Sequence, residues 1–405
     1  MLDPYRRILR LPGALAFSSA GLIARLPISM LSLGIVILVS ARTGSYGLAG
    51  SISAAEVIAA AVVSPLQSRL TDRFGQARVM PATAGVFAVG VFALVVSVES
   101  GWSSPLPHLC AVVSGAAFPP IGANIRARWR AIVTERRMLD TAFAFEAVVD
   151  EMVFIIGPVL VTFLATQVDP LAGVASTAVL CVVGTLLLSR QRVTQPPVGG
   201  QGHSAALEIP LGWRVLAPLV LAAIGLGSLF GSTEVVTVAF AAEAGNASDA
   251  GWLLALWAAG SLLAGIITGA VTLERGPLHR LRLGSLALTI VMAPLTWAPS
   301  VLWVALLLFV AGFAISPTLV AAISLVERCV PAARLSEGIT WVTSGLATGI
   351  APGAAISGVV VDATSPSVAF AVPVVSGAFT VAVAWAMRVP VSPPPRYEPT
   401  PAPSG

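Results

Sequence analysis

The sequence is poor in charge and contains no lysine at all. Charged residues make up 10% of the 405 positions, whereas a soluble domain carries about 25%. Hydrophobic residues make up 56%, and the mean hydropathy is +0.90. This composition excludes an ordinary water-soluble protein. The net charge of +4 comes from arginines spread over many connectors, a pattern typical of loops at lipid headgroups and not of a nucleic-acid surface.

Reactive side chains are equally scarce. The few cysteines and histidines are scattered at Cys110, Cys181, Cys329, His108, His203 and His279. An odd, dispersed set of cysteines predicts neither a disulfide framework nor a metal site, and the histidines fall at span ends or in connectors. We find no phosphate-cradling loop, metal-ligand cluster or Ser/His/Asp set. The sequence therefore predicts no enzyme and no cofactor, and any pumping must draw on an ion gradient.

Apolar runs account for most of the chain. Most reach the ~20 residues that a helix needs to cross the hydrocarbon of a bilayer. The predicted spans are Ala14–Val39, Tyr46–Gln67, Val79–Val98, Pro107–Ala123, Thr141–Thr166, Leu171–Leu188, Leu216–Ala241, Ala250–Val271, Leu283–Ala298, Val301–Val326, Ile339–Val361 and Ser367–Met387. The pattern predicts an all-α integral membrane protein with twelve transmembrane helices.

The arginines predict the topology. Twenty-one of the 23 lie in the even-numbered connectors or at the chain ends, while the odd connectors hold only Arg42 and a span holds Arg25. Because cytoplasmic loops retain basic residues, we predict a plasma-membrane protein with both termini in the cytoplasm. The basic start followed by an apolar run is interpreted as an uncleaved first helix, since further spans follow.

A polar, Pro- and Gly-rich connector divides the spans into two sets of six. We therefore predict a six-helix half at 1–188, a cytoplasmic linker at 189–214, a second six-helix half at 215–389 and a disordered Pro-rich tail at 390–405. A weak repeat relates the halves: Ala49-Gly50 recurs as Ala250-Gly251, 201 residues later. Two similar parallel halves favour a transporter with its site between them, although glycine- and alanine-rich helices can also match by chance.

The connector after span two, SRLTDRFGQAR, resembles the signature loop of the major facilitator superfamily. The matching residues are Asp72, Arg73 and Gly75, with Arg78 as the remaining basic residue; Ser68 stands where the signature has its first glycine, and Gln76 and Ala77 replace a basic pair. The resemblance implies a pseudo-symmetric twelve-helix transporter. Gly75 permits a tight turn, and Asp72 could cap a facing helix or pair with an arginine. We predict that Asp72 latches the cytoplasmic gate; a solvated charged turn is the alternative.

Two further segments, PPIGANIRARW with TAFAFEAVVDEMVFIIGP and GSLFGSTEVVTVAFAAEAG, resemble a bacterial branch of drug and metabolite efflux proteins. The antiporter signature of span five is half present. Gly157 and Pro158 match it, but Val161 and Thr162 stand where its paired glycines would be. Pro27, Gly157 and Pro158 are predicted to break their helices.

Six charged residues fall inside predicted spans, where a charge normally faces a cavity or a partner. They are Arg25, Glu56, Glu146, Asp150, Glu151 and Glu234. Glu146 and Asp150 lie four residues apart on one helix face. With Arg126 and Arg130 they are predicted to form an inner charge cluster that latches the halves.

The other acids have two interpretations each. Burial favours the protonated form of a carboxyl, so Asp150, Glu151, Glu56 and Glu234 are candidate proton sites. Arg25 and Glu234 are also predicted to line a central cavity and to bind substrate or a proton there, or to form a structural ion pair across it. A protonated packing residue is the alternative for Glu56.

Taken with the resemblance, these residues predict a secondary transporter that exports a small organic molecule, with proton coupling by alternating access. The expected partners are that molecule, protons and the lipid bilayer, with no nucleic acid and a monomeric state. One alternative is a metabolite uniporter or importer. Another is a polytopic sensor that binds a ligand without moving it.

Overall fold

The computed structural model describes residues 3–197, 213–270, 276–330 and 335–388. Its regular structure is helical throughout these ranges, with short 3-10 turns at Arg192–Thr194 and Ala293–Trp297. The α-helices are α1 (Asp3–Leu9), α2 (Ala14–Arg25), α3 (Pro27–Thr43), α4 (Tyr46–Phe74), α5 (Gln76–Glu99), α6 (Leu106–Ala117), α7 (Ile121–Ile132), α8 (Arg136–Gln167), α9 (Pro170–Arg190), α10 (Trp213–Glu243), α11 (Asp249–Ala270), α12 (Pro277–Met292), α13 (Val301–Cys329), α14 (Leu335–Ala363), α15 (Pro366–Ala369) and α16 (Ala371–Ala386).

These helices form twelve spans. The first comprises α2 and α3, the fourth α6 and α7, and the twelfth α15 and α16. Among the described residues, eleven segments are long and apolar enough to cross a bilayer. The ninth span is α12 extended by the 3-10 turn at Ala293–Trp297. The prediction of an all-α membrane protein with twelve helices in two halves is confirmed.

Proline divides two of the spans. The helix α3 begins at Pro27, whose ring nitrogen cannot donate to the preceding turn, and a single residue, Leu26, separates it from α2. In the fourth span, Pro119 and Pro120 separate α6 from α7. They also leave the Ala116 carbonyl without its usual donor, and Gln67 of α4 donates to it at 2.5 Å.

The predicted break at Gly157 and Pro158 is wrong. The helix α8 runs without interruption from Arg136 to Gln167 and contains Pro158. A neighbouring helix contacts the preceding turn: the Ser29 hydroxyl of α3 donates to the Val153 carbonyl at 2.8 Å. Gly157 makes this possible, because a side chain there would collide with Ser29. Neighbouring side chains can in this way stabilise proline-containing membrane helices.

The first half contains α1 to α9 and the second α10 to α16. We call the side that carries the exposed Arg73, Arg78 and Arg190 the basic face, and the other side the distal face. The halves meet where α4 packs against α14 and α8 against α11. Gly50 touches the α14 backbone and Gly251 the α8 backbone, so the two glycines of the sequence repeat occupy equivalent places at the interface.

The predicted linker is described only at its ends. The helix α9 ends at Arg190, and α10 begins at Trp213. Residues 198–212 and the predicted tail from 390 lie outside the described residues.

Candidate functional site

Four charged residues of the first half form a linked cluster. Arg25 of α2 pairs with Glu146 and with Asp150 of α8, the latter at 2.8 Å. Arg126 of α7 binds the other oxygen of Asp150 at 2.8 Å. Arg25 and Glu146 are buried, while the Asp150 side chain is 34% exposed. We call this set the arginine–carboxylate cluster.

The cluster corrects two predictions. Glu146 also accepts from Trp129 Nε1 at 2.7 Å and from the Ser18 hydroxyl at 3.4 Å. All of these residues belong to α2, α7 and α8, so the cluster stabilises the first half and does not latch the halves together. Arg130 was expected in the cluster but lies over the Phe143 ring at 5.4 Å. The second arginine of the cluster is Arg25 instead.

The predicted pair between Arg25 and Glu234 is wrong for a geometric reason. Arg25 lies 18 residues before the distal end of α3 at Thr43, and Glu234 lies nine residues before the distal end of α10 at Glu243. At 1.5 Å per residue their depths differ by about 14 Å, beyond the reach of an arginine side chain. Arg25 therefore binds acids at its own depth.

Glu234 instead lies at about the same depth as Glu56 of the other half. Glu56 lies ten residues from the distal end of α4, so both acids are about 15 Å from that end of their helices. Their carboxyl groups interact electrostatically across the interface. Glu56 is 7% exposed, and no described arginine forms an ion pair with either acid. We call Glu56 and Glu234 the central acidic pair.

Polar groups with unused hydrogen-bonding capacity surround this pair. Ser32 of α3 interacts with Glu234 and shares a hydrogen bond of 2.7 Å with Ser53, one helical turn from Glu56. Three buried atoms on α10 and α11 have no hydrogen-bond partner: Glu234 Oε1, Thr237 Oγ1 and Trp257 Nε1. Because buried polar groups are nearly always bonded in proteins, this part of the interface is suited to a polar ligand or water.

An aromatic pair adjoins the acids. Phe230 lies one turn before Glu234 on α10, and its ring meets that of Trp257 edge to face, with centroids 5.3 Å apart. Farther towards the basic face, Ser261 of α11 donates to Glu151 of α8 at 3.2 Å. Glu151 thus joins the two halves directly, unlike Glu146 and Asp150.

Further hydrogen bonds join the halves at the distal face. Ser248 shares a bond of 2.8 Å with Thr166 and accepts from Gln167 at 3.1 Å. Asp362 accepts three hydrogen bonds from the start of α4. Glycines allow backbone contact here, because side chains at Gly50 and Gly358 would collide with the opposite half. The distal side of the bundle is closed in this structure.

The signature loop lies at the basic face. Gly75 has φ +86° and ends α4, a conformation that requires glycine. Asp72, Arg73 and Arg78 are exposed, and Arg73 lies over the Phe74 ring at 5.2 Å. Asp72 forms no hydrogen bond or ion pair with a described residue. Its role as a latch stays a prediction for a conformation in which the basic ends of the halves meet.

Arg128 explains why Gln76 replaces a basic residue in the loop. Arg128 is fully buried, and its Nε donates to Gln76 Oε1 at 2.7 Å. It also donates to the Leu188 and Gln191 carbonyls and to Thr194. A basic residue at position 76 would place a second positive charge against this buried guanidinium.

Sequence reasoning missed Arg128 and Asp362. Arg128 is one of five arginines in the same connector, which together indicate the topology. The sequence alone does not show that Arg128 is the buried one. Asp362 lies at a span end, where an acid is ordinary. Ser45 precedes a helix and is a typical N-cap. Its partner Asp362, however, is more than 300 residues away in sequence, so the contact could not be predicted.

Twelve spans in two halves, with buried acids meeting between them, are characteristic of a polytopic membrane transporter. The family model of the Major Facilitator Superfamily matches residues 17–242 and 222–405, so the chain belongs to this superfamily. An uncharacterized MFS-type transporter, y4rN of Sinorhizobium fredii, is 30% identical over 190 residues. That match spans 46% of this chain and 46% of the relative, slightly less than half of each.

Solved structures share the fold. The POT family transporter PepTSo superposes with a TM-score of 0.71 at 11% identity, over 92% of this chain and 96% of its own. The nucleoside transporter NupG gives 0.69 at 15% identity, over 92% and 97%. The human organic anion transporter MFSD10 gives 0.65 at 14% identity, over 95% and 100%. At these identities the likeness concerns the fold alone.

Proposed function

We propose that this protein is a secondary transporter that moves a small organic molecule by alternating access, and that protons couple at the central acidic pair. The observation that carries the proposal is the placement of Glu56 and Glu234 at similar depth in opposite halves, where no described arginine forms an ion pair with either acid. Glu146 and Asp150, in contrast, are paired with arginines, and Glu151 accepts a hydrogen bond from Ser261.

The physical argument concerns charge. Two like charges in a buried place without a counter-ion are costly, so such a pair holds a proton or a cation for part of the cycle. Because the acids sit on opposite halves, a relative movement of the halves changes their separation and their access to water. The proton affinity of these acids then depends on which side of the protein is open. This dependence is required to couple proton movement to transport.

The closed distal side indicates the face at which this conformation exchanges substrate and protons. With the distal side closed by α4, α8, α11 and α14, this conformation would exchange substrate and protons at the basic face. We propose that the basic face is cytoplasmic in the plasma membrane, from the arginine distribution, and that the protein acts as a monomer. Export is supported by the efflux-like segments, while the antiporter signature is only half present, with Gly157-Pro158 but without its paired glycines.

Flux measurements test the proposal. The purified protein, reconstituted in liposomes, is screened with labelled cationic, neutral and anionic compounds, with and without an imposed pH gradient. We expect at least one compound to be driven by the gradient. Glu56→Gln or Glu234→Gln should abolish gradient dependence while leaving compound binding intact, as followed by ligand-induced thermal stabilisation.

Comparison variants separate the central acidic pair from the other acids. Asp150→Asn and Glu151→Gln should retain gradient dependence, and Glu243→Gln, an exposed acid at the distal end of α10, should behave as wild type. If Glu56→Gln and Glu234→Gln both still accumulate the compound under the gradient, coupling at this pair is wrong. Gradient-independent flux by the wild-type protein would indicate a uniporter, and binding without flux a sensor.

A further inference from the structure

Asp362 connects the two halves through the first turn of α4. It lies in the last turn of α14, in the second half of the chain. Its carboxylate accepts from the Ser45 hydroxyl at 2.8 Å, from the Tyr46 amide at 2.8 Å and from the Gly47 amide at 2.7 Å. All three donors belong to the first half.

These bonds complete the N-terminal cap of α4. The first N–H groups of a helix have no partner within the helix. Ser45 is the N-cap residue, and its hydroxyl oxygen accepts from the Leu48 amide at 3.1 Å. Asp362 supplies acceptors for the two amides before Leu48. The start of α4 is therefore fully capped only while the halves are together at the distal face.

The same carboxylate is poorly placed in its own helix. A helix carries partial negative charge at its C-terminus and partial positive charge at its N-terminus. Asp362 lies one residue before the end of α14 at Ala363, next to like charge, and no described arginine pairs with it. The favourable electrostatic partner of Asp362 is the N-terminus of α4, in the other half.

The approach is close because small residues line it. A side chain at Gly47 would come within 3.1 Å of Asp362 Oδ2, and one at Gly358 would collide with the Tyr46 carbonyl. The cap is thus part of a tight helix crossing and cannot survive separation of the distal ends of α4 and α14.

We propose that Asp362 is a distal latch: it caps α4 across the interface when the distal side is closed and loses this cap when that side opens. It thereby stabilises the distal-closed conformation relative to the distal-open one. Its effect on transport rests on the proposed alternating access, but the position of the halves is measurable without any substrate.

The latch complements the signature acid. The helices α4 and α14 run in opposite directions across the bundle, and each carries an acid at its C-terminal end. Asp362 is engaged at the distal face in this structure, whereas Asp72 at the basic face is exposed. The two acids occupy opposite ends of one helix pair, so they favour opposite conformations.

Spin labels can report the distal opening directly. In a variant in which Cys110, Cys181 and Cys329 are replaced, labels are attached through Ser103→Cys in the α5–α6 loop and Ala244→Cys after α10. Both positions are exposed at the distal face, one in each half. Distance distributions are then recorded in lipid nanodiscs, without added compound, by pulsed electron resonance.

Asp362→Asn should add or enlarge a population with longer distances. For Asp362→Ala, which removes both side-chain acceptors, the expected rise in the ratio of distal-open to distal-closed protein is roughly twofold to thirtyfold, the range for losing a helix cap. Asp362→Asn keeps one side-chain acceptor and places an NH2 group against the other donors of α4, so its shift should have the same direction and be smaller. Glu243→Gln is the matched control, because Glu243 is an exposed distal acid at a helix end that forms no hydrogen bond with the other half among the described residues.

Unchanged distances in Asp362→Ala would overturn the latch, and if that variant does not insert, unchanged distances in Asp362→Asn would overturn it. An equal shift in Glu243→Gln would also overturn it, because general surface charge would then be responsible. If the protein transports none of the tested compounds but Asp362→Asn still shifts the distances, the proposed function fails and the latch stands.

Discussion

Arg25 donates to Asp150 at 2.8 Å, and this contact commits the arginine of the first span to its own half. The same guanidinium pairs with Glu146, whose side chain is fully buried. Arg25 is therefore not available to neutralise the central acidic pair. The first half is internally balanced in charge at this depth, and the uncompensated acids lie at the boundary with the second half.

Removing Arg25 should destabilise the fold strongly. Arg25→Met leaves Glu146 buried without its cation, and breaking a buried pair in this way costs about 3–5 kcal/mol. Thermal unfolding in detergent should show a large fall in Tm. The double variant Arg25→Met/Glu146→Leu should recover part of the loss, because no unpaired charge remains.

Arg42 provides the comparison for this prediction. It binds Glu99 and Asp169 at the distal face, and its side chain is 36% exposed. Arg42→Met should cost no more than ~1 kcal/mol, as exposed pairs do. Equal losses for Arg25→Met and Arg42→Met would contradict the distinction between the buried cluster and the surface pair.

Gly50→Ala should prevent full distal closure. A Cβ at Gly50 would collide with the Ala354 backbone of the opposite half, and overpacking costs about 1–3 kcal/mol. The halves can relieve the collision by separating, so distances between the spin labels described above should lengthen while the fold persists. Gly85→Ala is the control, since no atom lies within 4 Å of the added Cβ. Identical distances in Gly50→Ala and wild type would show that the crossing accommodates the methyl group.

Asp72→Asn should lower transport without reducing the amount of inserted protein. Asp72 matches the signature acid and is unpartnered among the described residues while the distal side is closed. Its stabilising contact is therefore expected in the opposite conformation, and losing it should slow the cycle. Flux and membrane content are measured together. Glu135→Gln, which changes an exposed acid on the same face, should retain wild-type flux; wild-type flux in Asp72→Asn itself would rule out the latch.

The linker between the halves should be cytoplasmic. A single cysteine introduced by Gly200→Cys, in a background without native cysteines, should resist an impermeant thiol reagent in intact cells and react in inverted vesicles. Ser103→Cys, at the distal face, should show the reverse pattern. Labelling of the Gly200→Cys protein from outside the cell would overturn the assigned orientation.

The fold was predictable from the sequence because the bilayer simplifies the problem. Span length and hydropathy identify the helices, and Pro27 coincides with the start of α3. Pro158 misled the same reasoning, because α8 continues through it and proline is tolerated inside membrane helices that pack against neighbours. Side-chain partners are equally non-local. Arg25 pairs with residues more than 120 positions away, so sequence reasoning listed the right charged residues but joined Arg25 to the wrong acid.

The four hydrogen bonds of Arg128 have a consequence for how far the halves can separate. By holding Gln191 and Thr194 against the first half, Arg128 shortens the chain that is left to span the gap. The chain from Thr194 to the start of α10 at Trp213 then joins the halves, and fully extended it reaches no more than about 68 Å. The tether thus has a fixed upper length, set by one buried guanidinium far from the central acidic pair.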